Sequence, residues 1–284
     1  MHMEVLTSIA EMKQWSGYRL SKGQSVGLVP TMGFLHEGHL SLMRRARSES
    51  RAVVVSIFVN PAQFGQNEDL STYPRDPLSD TNKCAREGVD ALFMPEPQDM
   101  YGPGYQTYVD VEKVSAPLCG AARPGHFRGV ATVVLKLFNI VCPTTAYFGM
   151  KDYQQLQVIR TMVRDLNLDV LIQPCATVRE ADGLAMSSRN SYLSPQERAQ
   201  AVCLYGALLE AQQLFASREK SAGRYIRAMS DRITREPDAR PDYISLVHPD
   251  TLQDLTEVDS AALAVLAVRI GTTRLIDNML LQAG

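Results

Sequence analysis

Two histidines, His36 and His39, and two glycines, Gly33 and Gly38, fall within the segment Thr31-Met32-Gly33-Phe34-Leu35-His36-Glu37-Gly38-His39-Leu40. Ahead of it, residues 26–30 form a short apolar run that reads as a buried strand. Behind it, Leu42, Met43 and Ala46 supply an apolar face with Arg44, Arg45 and Arg47 turned to solvent, as in an amphipathic helix. The histidines therefore sit where a strand ends and a helix begins. The first amides of such a helix lack backbone partners and carry partial positive charge, which favours a phosphate. Imidazoles three residues apart share one face of the first turn and can donate to the same phosphate oxygens. Gly33 and Gly38 remove side chains where a nucleotide must touch backbone. Strand, HxGH turn and helix together predict nucleotidyl transfer. The competing reading, a metal pair, usually needs a third His, Cys or carboxylate, and only Glu37 is close.

The elements that position this turn can be read over the first 175 or so residues, where strand and helix signals alternate. Residues 53–59 are an unbroken apolar run, typical of a parallel strand covered on both faces. Residues 78–87 read as a helix closed by Gly88, followed by a strand at 91–94. An apolar helix over 130–141 leads to a strand at 146–148. A helix over 152–166, with Leu156, Ile159 and Val163 on one face, leads to a strand at 170–172. This alternation predicts a doubly wound parallel α/β sheet, whose ligands bind at the carboxyl ends of the strands. His36, His39, Asn60, Gln63 and Lys151 all fall there. After residue 190 the pattern changes. Ser194-Pro195-Gln196-Glu197 is a capping box opening a helix to about 217, with Leu204, Leu208, Ala211 and Phe215 on one face. Strand-like runs at 243–247, 263–270 and 273–279 follow, the last two joined by Gly271-Thr272 in a tight hairpin. The division expected is a larger domain over 1–176 and a smaller α+β domain over 177–284.

With 284 residues, the chain can build one large or two modest cores, and 45% apolar with 21% charged residues describes an ordinary globular protein. A net charge of −2 gives no electrostatic reason to expect nucleic acid or an anionic membrane as partner. There is no long apolar span and no signal-peptide pattern, so a cytoplasmic location is expected. Cys84, Cys119, Cys142, Cys175 and Cys203 form no CxxC pair and are read as reduced thiols rather than a zinc knuckle or a disulfide framework.

Other constellations allow two readings each. Gly149-Met150-Lys151-Asp152 lies at a second strand-to-helix junction, with Asp152 as a helix N-cap and Lys151 placed to meet phosphate; an isolated lysine is more often merely solvated. In Ala185-Met186-Ser187-Ser188-Arg189-Asn190, two hydroxyls and a guanidinium can close over a polyphosphate, or serve as a polar linker. Gln63, after the second strand, can bind hydroxyls or a carboxylate without adding charge. Arg123, His126 and Arg128 can attract anions, and a mobile basic loop accounts for them equally well. His2 and His248 receive no role.

Six segments, in order and in spacing, resemble the pantothenate synthetase (pantoate–β-alanine ligase) family over residues 4 to 280 or so. They are Pro30-Thr31-Met32-Gly33, Leu35-His36-Glu37-Gly38-His39, Phe58-Val59-Asn60-Pro61, Arg123-Pro124-Gly125-His126-Phe127-Arg128-Gly129-Val130, Lys151-Asp152-Tyr153-Gln154-Gln155 and Met186-Ser187-Ser188-Arg189-Asn190. HxGH alone would indicate only the wider nucleotidyltransferase group. Met150 and Phe34 depart from the polar and small residues often found at their positions.

The resemblance implies a Rossmann-like domain over 1–176 binding nucleotide and pantoate, with the smaller domain over 177–284 closing over the active site. It implies ATP, Mg²⁺, pantoate and β-alanine, a homodimer, and a pantoyl-adenylate intermediate captured by the amine. Carried over by position, Met32, Gly33, Phe34, Leu35, His36, Glu37, Gly38 and His39 contact ATP, with His39 as proton donor. Gly149, Met150, Lys151, Asp152, Val178, Met186, Ser187, Ser188 and Arg189 also bind ATP, and Gln63 and Gln155 hold pantoate. No protein metal ligand is assigned. His36, His39, Lys151 and Arg189 would supply donors and charge to the adenylation transition state, usually the largest catalytic effect. No side-chain nucleophile is needed, in keeping with the lack of a Ser-His or Cys-His constellation. A transferase that leaves the nucleotide on its product and a non-catalytic nucleotide sensor are the alternatives.

Overall fold

The computed structural model describes residues 3–66 and 68–282. In chain order the elements are β1 (Glu4–Leu6), α1 (Ile9–Ser21), β2 (Val26–Thr31), α2 (Glu37–Glu49), β3 (Ala52–Ile57), a 3₁₀ turn (Pro61–Gln63), α3 (Pro77–Arg86), β4 (Ala91–Phe93) and the short helices α4 (Pro97–Met100) and α5 (Cys119–Ala122). Next come α6 (His126–Val141), β5 (Thr145–Gly149), a 3₁₀ turn (Met150–Asp152), α7 (Tyr153–Asp165), β6 (Leu171–Cys175) and a third 3₁₀ turn (Ser188–Tyr192). The chain continues through α8 (Pro195–Ala201), α9 (Cys203–Ala216), α10 (Ala222–Ile233), β7 (Ala239–Val247), β8 (Ala261–Ile270) and β9 (Thr273–Gln282).

These elements form two compact units. The first holds the chain up to Ser115 together with Arg123–Met150 and Gln155–Ala176. The second holds Ala116–Ala122, Lys151–Gln154 and the chain from Thr177 onward. Two short segments from the first 176 residues therefore belong with the C-terminal unit.

In the first unit the strands pair in parallel in the order β1-β4-β3-β2-β5-β6. β2 and β3 lie inside the sheet, and Val26, Leu28, Val29, Val53, Val54 and Val55 are all fully buried, as a sheet covered on both faces requires. One face packs under α2, whose Leu42, Met43 and Ala46 meet Val29, Val53 and Val55; Leu35 from the preceding turn joins this core. α1 and α6 pack together and also against β2. From β2 the chain steps to β3 on one side and later returns to β5 on the other. The carboxyl ends of β2 and β5 are thus the switch point where ligands of such sheets bind. The second unit is a three-stranded antiparallel sheet, β7-β8-β9, packed against α9 and α10. Its last two strands pair Ile270 with Thr273 across Gly271, which takes φ +57. The doubly wound sheet and the smaller α+β part are as the sequence predicts.

Several boundaries differ. α6 begins at His126, not 130, because Gly125 in the left-handed region (φ 83) turns the chain straight into helix. The expected 195–217 helix is interrupted at Val202, whose backbone stays helical (φ −62, ψ −18), so the break is a kink. Asp152 closes a 3₁₀ turn (Met150–Asp152) that runs directly into α7. β1, α1 and α10 escape the sequence reading. For α1 the overlooked signal is the Ser8–Glu11 capping box; for α10 it is the helical spacing of Ala222, Tyr225, Met229 and Ile233, all buried. The five cysteines are free. Among the described residues no helix is long and apolar enough to cross a membrane. His2 lies outside the described residues.

Candidate functional site

β2 ends at Thr31, whose hydroxyl donates to the Ser56 carbonyl (2.8 Å) and accepts from the Gly33 amide (3.2 Å). Gly33 takes φ +82, a conformation strained for any side chain, and a Cβ there would stand 3.0 Å from Ile57 and 3.1 Å from Asp80, so those neighbours would also have to give. Phe34 follows with φ 50, a left-handed conformation that a bulky residue adopts only when held. The holding group is Asp80 on α3, 1% exposed, whose carboxylate accepts from the amides of Phe34 (2.7 Å) and Leu35 (2.8 Å). Lys83 Nζ donates to the Leu35 carbonyl (2.7 Å). Asp80 has no distinguishing signal in the sequence, since a helix carries many such carboxylates. Asp80→Ala is expected to leave two amides without their acceptor, costing on the order of 3 kcal/mol of stability and weakening nucleotide binding. Chemical denaturation and calorimetry on the variant check this; unchanged stability would show that the turn holds itself.

His36 is the N-cap of α2, and its carbonyl accepts from the amides of His39 (2.8 Å) and Leu40 (3.1 Å). Its own amide donates to Nδ1 of His39 (3.3 Å), and the two rings lie 4.0 Å apart between centroids. An Nδ1 that accepts is unprotonated, so Nε2 is the ring nitrogen of His39 that carries a proton. Glu37 is exposed and its carboxylate is bonded to Arg44, which also grips Glu87. That hydrogen bond holds the Glu37 carboxyl below the usual carboxylate range. Arg44 thus occupies the negative side chain of Glu37.

Beyond β3, Gln63 is buried in its 3₁₀ turn. Its Oε1 accepts from Asn60 Nδ2 (3.0 Å) and its Nε2 donates to the Met32 sulfur (3.1 Å), which joins the two strand ends. Asn60, 1% exposed, also donates to the Gly129 carbonyl (3.1 Å) and accepts from the Tyr101 hydroxyl (2.7 Å). Burial pushes the Tyr101 phenol well up, so it stays a donor. His126 Nδ1 lies 2.9 Å from the Gln63 carbonyl and must donate to it; Arg123 reaches the same carbonyl (3.3 Å) and His126 Nε2 (3.0 Å). Arg123 is also paired with Glu68 through two 2.6 Å bonds. Arg123 and His126 are therefore built into the Gln63 turn, not part of a mobile basic loop, while exposed Arg128 stacks over Tyr108. Gly129 lies against the backbone of Ala62 and Gln63, where a Cβ has no room. Gln155 is half-buried in the first turn of α7, and Gly149 and Met150 lie at the carboxyl end of β5.

In the second unit, Lys151 Nζ is 3.7 Å from the Asp152 carboxylate, and the Lys151 carbonyl accepts from Asn278 Nδ2 (2.8 Å). Val178 and Met186 face each other in a small hairpin, with the Met186 amide on the Val178 carbonyl (3.0 Å) and Arg179 bridged to Ala185. Ser187 caps the 3₁₀ turn that carries Ser188 and Arg189 by accepting from the Arg189 amide (3.3 Å). Asn190 ties the turn to Glu180 (3.0 Å) and the Ala185 carbonyl (3.1 Å), so residues 185–190 form an ordered turn and not a loose linker. Arg179 makes a two-pronged pair with Asp277 of β9 (2.6 and 3.0 Å); burial pushes the Asp277 carboxyl up against the pull of that guanidinium. Sequence reasoning missed Asp277 and Asn278, although two polar residues within an apolar strand are a signal.

The first unit thus gathers Met32 to His39 around Asn60 and Gln63, and the second gathers Lys151, Asp152, Val178 and Met186 to Arg189. A family model described as pantoate-beta-alanine ligase matches residues 4–280. The pantothenate synthetase of Geobacter sulfurreducens is 53% identical over 279 residues, covering 98% of this chain and 99% of that protein. That of Roseiflexus castenholzii is 56% identical over 281 residues, covering 99% and 100%. The crystal structure of pantothenate synthetase from Thermus thermophilus superposes with a TM-score of 0.93 at 46% identity, covering 98% of this chain and 99% of that one. The pantoate-beta-alanine ligase from Francisella tularensis, complexed with beta-gamma ATP and beta-alanine, gives 0.81 at 35% identity, covering 100% and 99%. Matched along nearly its whole length by sequence and by fold, the chain belongs to the pantoate-beta-alanine ligase family.

Proposed function

We propose that this chain condenses pantoate with β-alanine at the expense of ATP, releasing pantothenate, AMP and pyrophosphate by way of pantoyl adenylate. The observation that carries the reading is the His36–His39 turn between the carboxyl end of β2 and the start of α2, in a chain matched along residues 4–280 by the pantoate-beta-alanine ligase family model. A carboxylate is a poor electrophile, so it must first acquire a good leaving group. A pantoate carboxylate oxygen attacks the α-phosphorus of ATP, the bond to the β-phosphate oxygen breaks, and pyrophosphate departs with the electron pair. The β-alanine nitrogen then attacks the acyl carbon, AMP leaves, and the nitrogen loses its proton.

His36, His39, Lys151 and Arg189 supply donors and positive charge where negative charge builds in the first step. Met32 to His39, Gly149 to Asp152, Val178 and Met186 to Arg189 bind the nucleotide, and Gln63 and Gln155 hold pantoate. With Oε1 of Gln63 accepting from Asn60 and one Nε2 hydrogen given to the Met32 sulfur, the second Nε2 hydrogen is the donor for a pantoate oxygen. Mg²⁺ enters as part of the substrate, MgATP. An ion that enters this way is held by phosphate oxygens and water. The enzyme works as a homodimer in the cytoplasm.

Labelled pyrophosphate is expected to exchange into ATP when pantoate and Mg²⁺ are present and β-alanine is absent, and β-alanine should then release AMP and pantothenate. Exchange that strictly requires β-alanine would reject the adenylate intermediate. A stable nucleotidylated product would point to a transferase.

A further inference from the structure

Two successive residues of β9, Asp277 and Asn278, reach both groups of candidate nucleotide ligands in the second unit. Asn278 donates from its side-chain amide to the main-chain carbonyl of Lys151 (2.8 Å). Asp277, whose side chain is 1% exposed, accepts from both terminal nitrogens of Arg179 (2.6 and 3.0 Å) and from the Asn278 amide (2.8 Å). Arg179 in turn donates to the Gly183 carbonyl (3.1 Å), bridges Ala185, and lies over the Tyr205 ring at 4.4 Å. It therefore stands inside the hairpin that sets Val178 against Met186 and leads into Ser187, Ser188 and Arg189. A pair of charges this deeply buried is weak evidence for stability, because apolar residues of the same volume commonly serve a fold equally well. What a two-pronged carboxylate–guanidinium pair supplies is a fixed direction.

We propose that Asp277 and Asn278 are positioning residues for adenylate formation. They fix the Lys151 backbone and the Val178–Met186 hairpin to one strand, so that ammonium, hydroxyls and guanidinium are presented to a triphosphate in one geometry. The assignment rests on the reading of Lys151 and Met186 to Arg189 as ATP ligands, and neither β9 residue touches substrate. Because the grip on residue 151 is through its carbonyl, it acts on the placement of the ammonium without consuming it.

The test uses the full chain with Asn278→Ala, which removes the grip on Lys151, and Asp277→Asn, which removes the charge but keeps one acceptor. A slight misplacement of groups aimed at a reacting centre costs about tenfold to 10²-fold. Both variants should weaken MgATP binding by calorimetry, or slow pantoate-dependent pyrophosphate exchange, by that factor. The KM for pantoate and the capture of preformed pantoyl adenylate by β-alanine should be unchanged. Asn278→Asp, which cannot donate, should behave as Asn278→Ala. If the variants lower only the thermal midpoint, or weaken every substrate equally, the residues are merely structural and the proposal falls. If wild-type protein shows no exchange, the functional reading fails by itself. The calorimetric comparison of wild type with Asn278→Ala still decides whether β9 governs nucleotide binding.

Discussion

His39→Ala is expected to slow formation of pantoyl adenylate by about 10²–10³ while leaving the fold intact, the effect typical of losing a donor aimed at developing charge. The His36 amide holds His39 by Nδ1, so the ring is oriented before substrate arrives and no reorganisation is needed when the phosphorus is attacked. Alanine removes both the Nε2–H and the acceptor that fixed the turn. His39→Gln restores a donor of similar reach without the Nδ1 acceptor and should recover part of the rate. Rapid-quench measurement of adenylate formation, before β-alanine is added, separates this step from amide formation. A His39→Ala enzyme with near-normal adenylation would remove His39 from the chemistry.

Lys151→Met should bring a loss of similar size, about 10²–10³ in kcat/KM for ATP, because a charge on the departing pyrophosphate loses its cation. Methionine keeps the apolar stem, and the Asn278 bond holds the main chain at position 151 whatever side chain it carries. The loss therefore belongs to the ammonium alone. Lys151→Arg retains the charge on a wider, flatter head and should recover only part of the rate. Equal kcat/KM for ATP in the wild type and Lys151→Met would mean that Lys151 is merely a solvated side chain.

What could be read in advance was what repeats or stands out locally. The apolar runs of β2 and β3 and the apolar face of α2 announce themselves within a few residues and predict a doubly wound sheet, and the Ser194 capping box announces a helix of the second unit in the same way. The strand–HxGH–helix junction was legible for the same reason. Long-range groups were not. Asp80 lies 46 positions from the Phe34 amide it holds, and Asn278 lies 127 positions from the Lys151 carbonyl. Nothing about either residue type marks its partner, because only the fold brings the two together. His126 and Arg123 were visible as basic residues, but their bonds to the Gln63 carbonyl depend on α6 starting directly after Gly125, a backbone choice that glycine permits without announcing.

The second unit is discontinuous along the chain: Ala116–Ala122 and Lys151–Gln154 belong with residues from Thr177 onward. Within it, Cys119 meets the Tyr243 hydroxyl at 3.1 Å, and Arg274 donates to the same sulfur at 3.7 Å. During synthesis, Lys151 emerges from the ribosome more than a hundred residues before the strand that secures its carbonyl. The sheet of the first unit can form on the nascent chain, but the Lys151 carbonyl lacks its Asn278 partner until β9 is released. An incomplete chain can thus carry the HxGH turn while the main chain at Lys151 is still unsecured, so order of synthesis itself leaves this part of the second unit to be fixed last, when β9 is in place.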